Sequence, residues 1–121
     1  MSLATEAPDL AWAYCPLFQH SVELIGRRWS GAIIRVLLNG PMRFSDILAG
    51  IPSLSDRLLS ERLRELEAEA IVVRTVYPEV PVRVEYSLSE KGRELDGIIA
   101  AIDAWGGRWR TGGENPCQKS S

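Results

Sequence analysis

Long apolar runs are missing from this chain of 121 residues. None approaches the roughly 18 residues that carry a helix across a bilayer. The N-terminus has no basic region followed by an apolar block of the signal-peptide kind. These absences predict a cytoplasmic chain with no membrane partner. Cysteine is scarce as well: Cys15 and Cys117 stand near opposite ends and form neither a disulfide framework nor a paired zinc spacing. With His20 as the only histidine, no metal centre is expected. No serine sits in a nucleophile-elbow context and no glycine-rich phosphate loop follows a strand. The residues therefore show no catalytic constellation, imply no cofactor and disfavour an enzyme.

An excess of basic charge is also lacking, with 14 Lys and Arg against 16 Asp and Glu and a net charge of −2 at pH 7. Its distribution is uneven. Residues 1–26 hold three acids and no Lys or Arg, residues 27–93 hold eleven basic groups against nine acidic, and residues 94–121 hold three against four. The middle is the basic part, by a margin too small to point to nucleic acid by itself.

What is present, 45% apolar and 25% charged residues, suits one domain with a modest core. The stretch Ser55 to Ala70 organises it. Leu59, Leu63 and Leu66 recur at helical spacing, joined by Leu58, while Arg57, Ser60, Glu61 and Arg64 take the opposite face. Ser55 is a plausible N-cap, and Asp56 suits the positive end of the helix dipole.

Around that helix the chain divides into an N-terminal arm (1–13), a folded domain (14–110) and a polar, flexible C-terminal tail (111–121). Phe18, Val22 and Ile25 give a first helix from Pro16 that Gly26 closes, and Trp29, Ile33, Val36 and Leu37 a second, ended by Asn39-Gly40-Pro41. Met42 to Phe44 is extended, and Ser45 caps a third helix over Asp46 to Ile51. Pro52-Ser53-Leu54 is then the turn of a helix-turn-helix whose second helix is free to read a groove. Ile71 to Tyr77 and Val82 to Leu88 read as a hairpin with one buried and one solvated face. The proline-bounded loop Pro78-Glu79-Val80-Pro81 makes it protrude as a wing, with Arg83 at its distal end. Ser89 caps one last helix from Glu90 to about Trp109, along which Leu95, Ile98, Ile102, Trp105 and Trp109 form a heptad-like seam. The fold class is mainly α with a small β-hairpin, a winged helix-turn-helix with a long terminal helix.

Several strings in this order resemble one family: Cys15-Pro16, Leu24-Ile25-Gly26-x-x-Trp29, Arg43-Phe44-Ser45-x-Ile47, Leu63-Arg64-Glu65-Leu66-Glu67, Tyr77-Pro78-x-Val80-Pro81-x-Arg83-Val84-Glu85-Tyr86 and Leu88-Ser89-x-x-Gly92. Together they resemble the HxlR-type bacterial transcriptional regulators, winged-helix proteins of MarR-like architecture, over about three quarters of the chain. The resemblance implies a homodimer bound to a palindromic operator in double-stranded DNA, joined through its first and last helices. It places Trp12, Phe18, Leu95, Ile98, Ile102, Trp105 and Trp109 at the dimer interface. The DNA-facing set it implies is Arg27, Arg28, Arg43, Ser55, Arg57, Ser60, Glu61, Arg64 and Arg83.

Some roles stay open at this stage. Glu61 can accept from a cytosine amino group or pair with Arg57 or Arg64. Cys15, at the head of the first helix, is either a thiol sensor of oxidants or electrophiles, as the resemblance implies, or a structural thiol. A small-molecule effector is an alternative signal. The tryptophans fit core and interface better than a ligand pocket. The near-neutral charge keeps a second function in view, a winged-helix adaptor meeting an acidic protein partner through Arg57 and Arg64.

Overall fold

A computed structural model describes residues 8–110 and 112–113. The first seven residues of the expected arm, and tail positions 111 and 114–121 with Cys117, lie outside the described residues. Among the described residues no helix is long and apolar enough to cross a membrane.

A single 3-10 turn at Ala11–Ala13 precedes α1 (Pro16–Gly26). Pro16 suits the first helical position, where its missing N–H costs nothing and its φ is preset. The corner to α2 (Ser30–Leu37) is made at Trp29, a tryptophan with φ of 77°. A left-handed residue with a side chain costs on the order of 1–2 kcal/mol, so its surroundings must hold it. Part of that hold is packing against the core.

Met42 exchanges two backbone hydrogen bonds with Tyr86, its N–H donating at 2.9 Å and its carbonyl accepting at 2.8 Å. This bridge overturns the expected cap at Ser45. With the chain direction set through Met42, the first turn of α3 (Phe44–Gly50) closes on the carbonyl of Arg43, which accepts from Asp46 and Ile47. Ser45 therefore lies inside the helix. The connection to α4 (Asp56–Ala68) spans residues 51–55, longer than Pro52–Leu54, because Ile51 leaves the helix and buries its side chain together with Leu54.

Ser55 caps α4 as expected, its Oγ accepting the Leu58 N–H at 3.1 Å. The helix stops without a glycine. Ala70 takes φ of 60°, its N–H donates to Glu67 and that of Ile71 to Leu66, both at 2.9 Å, which closes the end as a Schellman motif. The chain thereby reverses into β1 (Val72–Tyr77), antiparallel to β2 (Arg83–Leu88), in register from Val72 opposite Leu88 to Tyr77 opposite Arg83. Each strand starts one residue later than expected. The division into buried and solvated faces holds only at the base, where Val72 and Leu88 are buried; Val73 and Val76 are exposed because nothing in the described chain packs over them.

The expected single terminal helix is two: α5 (Glu90–Arg93) and α6 (Leu95–Arg108). Glu94 between them keeps helical dihedrals, so the break is one of hydrogen bonding. Its cause is a double anchor. Ser89 Oγ accepts from Gly92 at 3.0 Å and donates to the Ala70 carbonyl at 2.6 Å, clamping the first turn to the hairpin base. Further on, Ile99 packs into the core and Asp103 pairs with Arg35 of α2 at 3.6 Å.

The core collects Ile33, Ile34 and Leu37 of α2, Ile47 of α3, Leu59, Leu63 and Leu66 of α4, and Ile71, Val72 and Leu88 at the hairpin base. α1 buries nothing fully, and α6 buries only Ile99.

Candidate nucleic-acid interface

Arg57, Ser60, Glu61 and Arg64 lie at i, i+3, i+4 and i+7 on α4, opposite the buried leucines, so they form one outward stripe. Arg57 is 89% exposed, and its Nε stands 3.3 Å from Glu61 Oε1. Glu61 thus pairs with Arg57 rather than Arg64, its other oxygen standing 4.0 Å from Arg62. An exposed pair of this kind is worth well under about 1 kcal/mol, so a base edge or phosphate can displace it. Arg64 is exposed and makes no ion pair among the described residues. Ser55 heads the stripe with its oxygen committed to the cap.

The remaining expected basic residues divide. Arg43 at the start of α3 is exposed and, among the described residues, makes no ion pair; the same holds for Arg74 on β1. Arg83 is compensated. Its guanidinium lies 3.9 Å from the Tyr77 ring centroid, 3.1 Å from Glu79 and 2.8 Å from Glu85. The hydrogen bond to Glu79 above all, with the charges of both acids, raises its pKa against the opposing effect of burial. Arg27 pairs with Glu65 at 3.1 Å, and the Arg28 guanidinium lies 5.1 Å from the Trp29 ring centroid. The fold therefore brings Ser55, Arg57, Ser60, Glu61 and Arg64 together on one face, while Arg27, Arg28 and Arg83 are engaged within the chain.

Sequence reasoning passed over Arg62, the one charged residue of the described chain that is buried, at 8% exposed. Its Nε donates to the Arg28 carbonyl at 2.8 Å, and it pairs with Glu65 at 3.2 Å. The available signal was its place among Leu59, Leu63 and Leu66 on the apolar side. His20 with Glu69, at 3.0 Å, was missed with it.

Apart from this face, α1 and α6 leave apolar surface unburied. Phe18 is 63% exposed, Ile102 55%, Trp105 62% and Trp109 70%, and Trp12 and Ile98 are exposed with them. Leu95 differs from the rest of the expected seam: it is half-buried against the core of its own chain. Phe18, Val22, Ile25, Ala32, Ile98 and Ile102 line a groove of about 930 Å³ between α1, α2 and α6. Cys15 is a half-buried free thiol at the N-cap of α1. Among the described residues no group of three His, Cys, Asp or Glu side chains is placed to hold a metal ion.

The HxlR-like helix-turn-helix family profile matches residues 24–114. This chain belongs to that family. Like its relatives, it is a helix-turn-helix transcriptional regulator rather than an enzyme. Over 95 residues this HxlR-like chain is 50% identical to YvaP of Bacillus subtilis, an uncharacterised HTH-type transcriptional regulator, covering 78% of this chain and 88% of that protein. It is 43% identical over 105 residues to the transcriptional regulator YodB of the same organism, covering 87% and 94%. The structure of reduced YodB matches with a TM-score of 0.76 and 44% identity over 84% of this chain and 99% of that one. The oxidised form of the redox regulator HypR matches with a TM-score of 0.73 and 40% identity over 81% and 100%. YodB has also been solved diamide-treated and quinone-bound.

Proposed function

We propose that the chain binds a palindromic operator as a homodimer, one α4 per half-site, and that thiol chemistry at Cys15 alters this binding. The observation that carries the reading is a contrast between faces: α4 turns a polar stripe outward while α1 and α6 leave their apolar sides uncovered. A second copy covers Phe18, Ile98, Ile102, Trp105 and Trp109 in the symmetric way closed dimers do. Trp12 on the arm joins that surface. Two-fold symmetry then offers two copies of Arg57, Ser60, Glu61 and Arg64 to one duplex, with Arg43 and the wing beside the backbone.

Cys15 heads α1, the helix that carries part of this dimer face, so oxidation or alkylation there acts on the dimer directly. The likeness to YodB, solved in reduced, diamide-treated and quinone-bound forms, and to the redox regulator HypR supports an oxidant or electrophile as the signal.

Selection of bound duplexes from a random pool by the full-length chain tests the reading. The expected result is an inverted repeat with half-site centres about one helical turn, roughly 10 base pairs, apart. Enrichment of no sequence at all would instead favour the adaptor. A gel shift on the selected operator then follows with diamide or a quinone. Wild type loses or changes its complex, and Cys15→Ser does not; an unchanged response in Cys15→Ser removes the thiol from the mechanism.

A further inference from the structure

α1 packs its backbone on α2 rather than on α4. Between α1 and α4 lies a cleft of about 290 Å³, with His20, Arg27, Glu65 and Glu69 among its lining residues. Three side chains of the α4 end of the molecule, at i, i+3 and i+7, reach across or beside it. Arg62 Nε donates to the carbonyl of Arg28, in the corner that Trp29 turns with its left-handed backbone. Glu65 is shared: Oε1 stands 3.2 Å from Arg62, and Oε2 stands 3.1 Å from Arg27, the C-cap of α1. Glu69, the C-cap of α4, stands 3.0 Å from Nε2 of His20, midway along α1. Arg62 is buried, so its charge is costly to hold unless the Arg28 carbonyl and Glu65 stay in place, which makes this the stiff rung; the Arg27 and His20 pairs are more exposed and weaker.

From this ladder we infer that Arg62, Glu65 and His20 are positioning residues: together they form a strut that fixes the angle and distance of the reading helix relative to the dimer helix. The inference rests on the dimeric operator reading and deepens it. α1 stands between the partner's surface on one side and α4 on the other, so whatever sets α4 against α1 sets the separation of the two α4 helices in the dimer. One inserted base pair moves two half-sites apart by about 3.4 Å and turns one against the other by about 35°. A dimer with stiff struts cannot follow that change, and one with slack struts can.

The test is an operator-spacing series. Full-length wild type, Arg62→Met, and a double variant His20→Ala with Glu65→Gln are titrated by fluorescence anisotropy, at matched salt, against the selected operator. The same titrations use versions with one base pair added or removed between half-sites, and a single half-site. The double variant leaves the α4 core untouched, which keeps the test alive if Arg62→Met folds poorly. Circular dichroism and sedimentation verify fold and dimer for each. Wild type is expected to favour its own spacing by on the order of tenfold or more, and the variants to lose most of that preference while keeping their half-site affinity. A variant that discriminates spacing as wild type does overturns the strut. So does one that weakens every duplex equally, half-site included, since that pattern reports folding alone. A wild type that binds all spacings alike overturns the two-site operator reading, and the strut falls with it.

Discussion

Replacing Trp105 by alanine should dissociate the dimer without unfolding the chain. Trp105 is 62% exposed in the single chain, which for a tryptophan is about 150 Å² of largely apolar surface. At about 25 cal/mol per Å², covering all of it contributes about 4 kcal/mol and covering half about 2 kcal/mol. A two-fold interface uses each residue twice, so the dimer loses about 4 to 8 kcal/mol. That corresponds to a rise of about a thousandfold or more in its dissociation constant. Ile99 is the only residue of α6 that is buried, so truncation at Trp105 opens no cavity in the core. Sedimentation equilibrium over a concentration series measures the change, and the far-ultraviolet circular dichroism of the monomer shows whether helices persist. A dissociation constant within about threefold of wild type would show that Trp105 lies outside the interface and refute the reasoning.

Ala70→Gly should stabilise the chain by about 0.5 to 1 kcal/mol, read as a higher thermal midpoint, because glycine takes the positive φ at the end of α4 without steric cost. Gly92→Ala should destabilise it by about 1 to 3 kcal/mol in chemical denaturation: the added Cβ would press into the Ile71 carbonyl and lie 3.1 Å from both Ile71 Cγ2 and Leu88 Cδ2. Arg64→Ala should cost about 1 to 3 kcal/mol on the operator and less on scrambled DNA, so that the ratio of the two affinities falls; an unchanged ratio would remove its base-reading role. Arg83→Ala, whose charge is already matched by Glu79 and Glu85, should weaken operator and scrambled DNA alike and by less than Arg64→Ala does.

The reading helix was legible because its signals are local: a serine at the cap, leucines at helical spacing and a proline-bounded loop after it. The same holds for the cap at Ser89. Features that depend on the chain meeting itself were not legible. Trp29 and Ala70 take left-handed backbone where no glycine announces it, Trp29 packed against the core and Ala70 closing the end of α4 with its carbonyl accepting from Ser89. Ser45 loses the cap to Arg43 because Met42 pairs with a residue 44 positions later. The compensation of Arg83 needs the hairpin register that brings Glu79, Glu85 and Tyr77 around it. Arg62 was visible as an arginine among leucines, but its partner is a backbone carbonyl 34 residues away, which no side-chain pattern encodes.

Most arginines near the reading face are already matched by acids or stacked on a ring, while Arg43, Arg64 and Arg74 form no ion pair among the described residues. Those three alone, in a dimer of the kind proposed, would displace about six condensed counterions from a duplex, a logarithmic salt slope of roughly −5. That is a weak grip for a protein that must sample on the order of a million or more competing sites. Weak retention on random sequence shortens each unproductive encounter. On the proposed operator reading, residence then falls to base-edge contacts, and the acids that lower the net charge would act as a filter on where the regulator pauses.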